Sequence, residues 1–210
     1  MNKVKHIGLI DFFEVIADGI YGKTSMGKIV ESELGLSREA YMEKDNGPSW
    51  GEHRRLCRGL ITEREYWEGL IKAGNWDVTP EQLAWATDQA VKHPVPGTTD
   101  VLRELKAQGC TLILVSDLWE ELKDRILLNY PWINSLFDKR HYSYEYGLVK
   151  SDSLFFKKIL EQEKVNPDEC FFVDDYHVNV EMAQKAGITG IVFEDAIQLK
   201  RELVKLDYKL

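Results

Sequence analysis

The pattern of hydrophobic and polar positions predicts short buried strands that alternate with amphipathic helices over most of the chain. Continuous apolar runs suit strands that are covered on both faces, as in a parallel sheet. The runs are HIGLI (6–10), TLILVS (111–116), CFFVD (170–174) and TGIVF (189–193), with KRHYSYE (139–145) as a weaker fifth candidate. Apolar positions at helical spacing lie between them, at 97–109, 151–164 and 177–187. We therefore predict an α/β fold with a doubly wound parallel sheet.

Residues 15–94 interrupt this alternation and contain no convincing strand pattern. TERE (62–65) and TPEQ (79–82) are typical of capping boxes at helix starts, and the second places Pro80 at the first helical position. We therefore predict a helical cap at 15–94, inserted after the first strand into a Rossmann-like core of residues 1–14 and 95–210.

The composition narrows the expected partners to small molecules. The 210 residues are 44% hydrophobic with a net charge of −8, which argues against nucleic acid or anionic membrane surfaces as partners. No apolar run reaches the length of a membrane span. The cysteines, Cys57, Cys110 and Cys170, are far apart and have no zinc-site spacing, so we predict buried thiols and a cytoplasmic location.

Polar residues follow the predicted strands at the edge where an open parallel sheet binds its ligands. They are Asp11, Ser116 with Asp117, Asp174 with Asp175, and Lys150 just before a helix. Each residue type alone is common in turns and helix caps, and Asp117 is interpreted as the N-cap of the helix DLWEEL. The adjacent acids at 174–175 repel each other unless a cation lies near them. Together, these side chains are expected to converge on one edge of the sheet.

This set of side chains suits phosphoryl transfer to a carboxylate from a small phosphorylated metabolite. Asp11 is the predicted nucleophile, and Mg²⁺ bridging Asp11, Asp175 and the phosphate relieves the repulsion between anions. Asp174 is expected to act mainly by holding the groups around the metal. Lys150 adds a positive charge, and Ser116 offers its hydroxyl and backbone N–H to phosphate oxygens.

In this order, the residues resemble the motifs of the haloacid dehalogenase-like hydrolase superfamily, in the branch with a helical cap after the first strand. The matching stretches are Asp11, LILVSD with Ser116, YGLVKSDSLFFKKIL with Lys150, and FFVDDYHVNVEMAQKAGITGIVF (171–193), while RGLITEREYWEGL (58–70) resembles the cap. Within the branch, the chain is similar to small sugar-phosphate phosphatases related to α-glucose-1-phosphate phosphatase. The resemblance implies a Mg²⁺-dependent phosphatase that forms an aspartyl-phosphate. It also implies that the backbone carbonyl of Phe13 joins Asp11, Asp174 and Asp175 around the metal.

The chain departs from the family's first motif at Phe13, where the family usually has a second aspartate. That acid protonates the leaving group and later activates water. General acid–base catalysis of this kind commonly accelerates a reaction ~10²–10⁴-fold. Three interpretations remain. The first is a working phosphatase, with Glu14 or water substituting or with an intrinsically good leaving group. The second is a dehalogenase, although dehalogenases lack the acid pair at 174–175. The third is a catalytically weak phosphate-binding or regulatory protein. We favour the phosphatase.

Substrate specificity in this family branch is expected to come from the cap. Trp50, His53, Arg54, Arg55 and Arg58 lie in or after its Gly- and Pro-containing stretch and are within conceivable reach of a phosphate or sugar. The favoured interpretation is an exposed basic helix face with Trp50 packed against it.

Overall fold

The structure is a computed structural model that describes residues 6–17, 26–37, 39, 41 and 50–210. A five-stranded parallel sheet has the order β3-β2-β1-β4-β5. Its strands are β1 (Ile7–Ile10), β2 (Thr111–Ser116), β3 (Lys139–Tyr142), β4 (Cys170–Asp174) and β5 (Thr189–Val192). The doubly wound α/β prediction is confirmed, because helices connect these parallel strands.

The described part of residues 15–94 is helical, as predicted. Its helices are α1 (Met26–Leu34), α2 (Trp50–Cys57), α3 (Glu63–Gly74) and α4 (Pro80–Ala90). The helices after it are α5 (Thr98–Ala107), α6 (Glu120–Asn129), α7 (Ile133–Leu136), α8 (Ser143–Tyr146), α9 (Ser153–Glu163), α10 (His177–Lys185) and α11 (Ala196–Val204). A 3₁₀ turn at Pro167–Glu169 leads into β4. We call residues 15–94 the cap segment; its exact limits stay a prediction.

Side chains of the central strands alternate between two hydrophobic clusters. On β1, Leu9 packs into one cluster and Ile10 into the other, and on β4 Phe172 and Phe171 divide in the same way. This is the period-two alternation of a strand whose two faces are both covered. The prediction of doubly buried strands is confirmed for β1, β2 and β4, whereas Val192 at the edge strand β5 is 40% exposed.

The weakest strand candidate is right only in its first half. The strand ends at Tyr142, and Ser143–Tyr146 form the short helix α8. The carboxylate of Glu145 accepts a hydrogen bond from the Tyr142 N–H, and Gly147 ends the turn with a φ of 65°. This local capping overrides the alternating pattern that KRHYSYE shares with strands.

Both predicted capping boxes in the cap segment are confirmed. The Thr62 hydroxyl accepts from the Glu65 N–H at 3.2 Å, and the Glu65 carboxylate accepts from the Thr62 N–H at 2.7 Å. Thr79 and Gln82 exchange the same pair of bonds at the start of α4. Each N-cap of this kind stabilises a helix by about 1 kcal/mol, so both helix starts are fixed by local sequence.

The cap segment is joined to the rest of the molecule by apolar and charged contacts. Buried Met26, Leu56 and Trp67 belong to the same hydrophobic cluster as core residues of α5 and β4. In addition, buried Glu63 at the start of α3 pairs with Arg125 of α6. These contacts hold helices of the cap segment against the core. Over the described residues, no helix is both long and apolar enough to cross a bilayer.

Candidate active site

The turn after β1 directs Asp11 to the carboxyl edge of the sheet. The Asp11 N–H continues the ladder to the Val173 carbonyl at 2.9 Å, and the next N–H, that of Phe12, donates to Asp11 Oδ1 at 2.7 Å. The chain then reverses through Glu14, whose φ of 57° lies in the left-handed region that non-glycine residues rarely adopt. Asp11 is therefore held by its own turn, with Oδ1 already bonded.

Lys150 lies between two carboxylates, at the edge of the sheet where these groups were expected to converge. Its Nζ is 2.6 Å from Asp11 Oδ1 and 2.7 Å from Asp174 Oδ2, and the residue is only 3% exposed. Burial opposes the charge on this ammonium, but Asp11, Asp174 and Asp117 outweigh burial and raise the Lys150 pKa. Lys150 therefore stays charged and ties the first strand to the fourth.

The predicted helix cap at Asp117 is wrong. Helix α6 begins at Glu120 with Trp119 as its N-cap residue, three positions after β2 ends. Asp117 instead accepts the backbone N–H of Lys150, with its two oxygens at 2.9 and 3.2 Å. Its carboxylate therefore fixes the loop that delivers Lys150, a role that local sequence does not reveal.

Asp174 and Asp175 have different surroundings despite being neighbours. The buried Asp174 accepts from Lys150 Nζ, from the Tyr176 N–H at 2.8 Å, and from Asn179 Nδ2 at 3.2 Å to both oxygens. Asp175 is exposed and lines the cavity described below. The hydrogen bonds of Asp174 agree with a positioning role, whereas Asp175 is open to a ligand.

The acid cluster suits a divalent cation. Asp11, Asp174 and Asp175 each present a carboxylate oxygen within 4.8 Å of the others. Burial raises the pKa of Asp11 well above its usual range, Asp174 and Asp175 raise it further, and Lys150 opposes them. When ionised, three carboxylates against one ammonium leave two negative charges, which hard-cation oxygen ligation neutralises. The donor set therefore fits Mg²⁺.

Ser116 lies at the end of β2, and no hydrogen bond joins its hydroxyl to the other candidates. It is 0% exposed, and its hydroxyl has no hydrogen-bond partner among the described residues. The residues that line the cavity include its neighbour Asp117 rather than Ser116. Its predicted contact with phosphate stays a prediction.

Phe13 places an aromatic ring in the cavity that Asp11 lines. The half-buried ring lines the cavity and meets Phe12 edge to face, with 5.1 Å between ring centroids. The next residue, Glu14, also lines the cavity. The position where the family has its second acid therefore offers an apolar wall, and the predicted role of the Phe13 carbonyl toward a metal stays a prediction.

A cavity of about 540 Å³ opens above these residues. Its lining residues are Asp11, Phe13, Glu14, His53, Arg54, Cys57, Asp117, Val149, Lys150, Ser151, Asp175, Tyr176, Val178 and Asn179. Burial lowers the pKa of His53 to about 3, so this imidazole is neutral in the folded protein. The cavity thus combines an acidic floor with a wall from α2.

The prediction of an exposed basic face on α2 is wrong for two of its members. His53 and Arg54 face the cavity, while Arg58 pairs across to Asp152 with N–O at 3.1 Å. Arg55 is exposed and pairs with Glu52 at 2.8 Å on the same helix. One side of α2 thus faces the cavity and the other faces solvent, because α2 docks on the carboxyl edge of the sheet. The side chain of Trp50 lies outside the described part of the structure.

Sequence comparison places the chain among known hydrolases. Residues 9–187 match the model of the haloacid dehalogenase-like hydrolase family. Flavin mononucleotide hydrolase 1, a chloroplast protein of Arabidopsis thaliana, is 33% identical over 187 residues, covering 84% of this chain and 69% of its own length. A sesquiterpene phosphatase of Aspergillus oryzae is 32% identical over 118 residues, which cover 54% of this chain and 58% of that protein.

Solved structures share the fold. A HAD family enzyme from Bacteroides thetaiotaomicron, in complex with magnesium and inorganic phosphate, superimposes with a TM-score of 0.63 at 20% identity, covering 90% of this chain and 94% of its own. L-2-haloacid dehalogenase from Xanthobacter autotrophicus superimposes with a TM-score of 0.67 at 18% identity, covering 95% of this chain and 82% of its own. With the sequence match over most of its length and the acid cluster at the edge of its sheet, this chain belongs to the haloacid dehalogenase-like hydrolase family.

Proposed function

We propose that the protein is a Mg²⁺-dependent phosphatase of small phosphorylated metabolites that forms an aspartyl-phosphate on Asp11. The observation that carries this proposal is Lys150 Nζ lying 2.6 Å from Asp11 and 2.7 Å from Asp174, beside the open carboxylate of Asp175. The sequence relatives named as a mononucleotide hydrolase and a sesquiterpene phosphatase support phosphoester chemistry. The sugar-phosphate subgroup and the cytoplasmic location stay predictions.

Asp11 and Asp175 are the proposed direct ligands of Mg²⁺, together with the backbone carbonyl of Phe13. Asp174 orients Lys150 and Asn179 through its own hydrogen bonds. When bound, the ion would neutralise the phosphate and the carboxylates so that one anion can attack another.

The two oxygens of Asp11 have different proposed roles. Lys150 Nζ and the Phe12 N–H both bond Oδ1, which leaves Oδ2 to attack phosphorus. The bond from phosphorus to the leaving-group oxygen breaks as the new bond forms, and that oxygen departs with its electron pair. Water then attacks the phosphorus of the aspartyl-phosphate, which releases inorganic phosphate, restores the Asp11 carboxylate and gives one proton to solvent. Lys150 stabilises the charge that develops on the transferred group in both steps.

Phe13 supports a second candidate, a catalytically weak protein that binds phosphate and regulates through it. A phenyl ring has no proton for the departing oxygen, so the first step depends on the leaving group alone. A dehalogenase is disfavoured by the acid pair at 174–175, since a monoanionic haloacid gives a metal no role.

Phosphate release from aryl, acyl, anomeric sugar and alkyl phosphates, with and without Mg²⁺, tests the proposal. The parent should release phosphate only with the metal, and Asp11→Asn should release none. Asp175→Asn should lose the rise in unfolding temperature that Mg²⁺ gives the parent, whereas the matched Asp168→Asn keeps it. Full turnover by Asp11→Asn excludes the covalent route. Bound phosphate and Mg²⁺ without turnover supports the regulatory candidate, and halide release from a 2-haloacid supports the dehalogenase.

A further inference from the structure

Arg54 stands in the cavity wall opposite the acidic floor. It projects from α2 of the cap segment, and the only other lysine or arginine among the described cavity-lining residues is Lys150. Lys150 is already bonded to Asp11 and Asp174. Among the described cavity-lining residues, Arg54 is therefore the cationic side chain left for an anion beyond the first phosphate.

Within the described part of the chain, the guanidinium of Arg54 has no ion pair, unlike those of Arg55 and Arg58. The nearby arginines are paired. Arg55, on the same helix, pairs with Glu52 at 2.8 Å, and Arg58, just after the helix, pairs with Asp152 at 3.1 Å. Among the described residues, no carboxylate lies within 4 Å of the Arg54 guanidinium. Burial raises the pKa of the Asp117 carboxyl, and Arg54 lowers it slightly, so these two charges lie close enough to interact. A half-buried guanidinium with five donors and no acceptor is ready for a planar or tetrahedral oxyanion.

We propose that Arg54 determines specificity by binding a second oxyanion, a carboxylate or a further phosphoryl group, on the leaving group of the substrate. This inference deepens the proposed phosphatase function and rests on it for the position of the first phosphate. That phosphate lies at the floor, against Asp11, Lys150 and Asp175. The leaving group then extends toward the α2 side of the cavity, whose lining also includes the apolar side chains of Phe13 and Val149.

The matched probes are 4-(carboxymethyl)phenyl phosphate and its isosteric carboxamide. The methylene group insulates the ring, so the two leaving groups have similar basicity and differ only in remote charge. A phosphonomethyl analogue separates a preference for carboxylate from one for a phosphoryl group. Binding is measured by calorimetry with Mg²⁺ in the Asp11→Asn background, which removes turnover, and kcat/KM is measured in the parent chain.

The carboxylate or the phosphonate should bind about tenfold or more tightly than the carboxamide, as a charge-assisted contact requires. Adding Arg54→Gln should bring the ratio of the affinities for the charged probe and the carboxamide to about one. Arg54→Lys should leave an intermediate ratio. Arg55→Gln is the control, because this exposed neighbour faces away from the cavity, and it should leave the ratio unchanged. Unfolding temperatures of all variants establish that each is folded.

Equal binding of the charged and neutral probes overturns the inference, as does a preference that survives in Arg54→Gln or the absence of binding by any probe. If the charged probe binds more tightly than the carboxamide only when Arg54 is present, while the parent hydrolyses no probe, that result supports the anion site and contradicts the phosphatase proposal. The two failures are therefore distinguishable.

Discussion

Phe13 sets the chemistry of this site at the scale of one residue. Because its ring donates no proton, the rate of the first step should follow how well the departing oxygen leaves unaided. We expect aryl, acyl and anomeric sugar phosphates to be hydrolysed at least ~10²-fold faster than alkyl phosphates of similar size. Rates across a series of leaving groups of graded basicity measure this dependence.

The variant Phe13→Asp restores the missing acid. It should raise the rate for alkyl phosphates more than for activated ones, and so flatten the dependence on the leaving group. Phe13→Leu is the matched control, since it changes the shape of the wall without adding a proton donor. Equal rates across leaving groups in the parent would contradict this account and would direct attention to Glu14, which lines the same cavity.

A second prediction at the residue scale concerns Asp117 and the pH dependence of the free energy of unfolding. Burial raises its pKa to about 6, from about 3.9 in the unfolded chain, so the folded protein holds a proton that the unfolded chain releases. The favourable contribution of protonated Asp117 to the free energy of unfolding is therefore fully present below pH 4, and it is lost as the pH rises through 6. Asp117→Asn keeps an acceptor for the Lys150 N–H and removes this loss, so it should be more stable than the parent at pH 7.5 by about 2 kcal/mol.

Urea denaturation at pH 4.5 and 7.5 measures this difference. The advantage of Asp117→Asn over the parent should be small at the lower pH and larger at the higher one. A constant difference between the two proteins at both pH values would mean that Asp117 titrates normally.

Among the elements, α3 and α6 are joined by a buried ion pair between the cap segment and the core. Glu63 accepts from Arg125 and from the Trp119 indole at 3.0 Å. Arg125→Met leaves the Glu63 carboxylate buried and half-satisfied, which should cost about 3 kcal/mol of unfolding free energy. The double variant with Glu63→Gln should recover most of that loss.

Arg103→Met is the control for this pair, because its partner Asp100 is exposed and surface pairs contribute about 0–1 kcal/mol. Chemical denaturation of the three variants gives the comparison. If Arg125→Met costs no more than Arg103→Met, the cap segment is not held through this contact.

The elements that the sequence predicted well are those set by local physics. Continuous apolar runs gave the strands, and the capping boxes at Thr62 and Thr79 gave two helix starts. The failures had two causes. KRHYSYE has a strand pattern, but local capping by Glu145 starts a helix there, whereas Asp117 bonds Lys150, a distant contact 33 positions away. Arg54 and Arg55 are adjacent in sequence, and only the docking of α2 separates them.

At the scale of the whole molecule, an acidic protein can bind an anion only if positive groups are concentrated at its site. The chain carries a net charge of −8, yet its proposed substrate is an anion. The fold resolves this by bringing three acids and one lysine to one edge of the sheet, in a cavity that Arg54 also lines. The order of these residues along parallel strands made the floor predictable from sequence. The cap wall was not, because its surroundings depend on tertiary packing, and the contact of Ser116 with phosphate stays a prediction.

The central claim is that Asp11 carries the phosphoryl group, and intact-protein mass spectrometry after rapid acid quenching tests it most directly. Without an acid at position 13 to activate water, the aspartyl-phosphate should accumulate during turnover of an aryl phosphate with Mg²⁺. We predict an adduct of one phosphoryl group that maps to Asp11, appears with a burst of leaving group, and is absent in Asp11→Asn. Steady phosphate release by the parent without a burst and without any adduct on Asp11 would contradict the account.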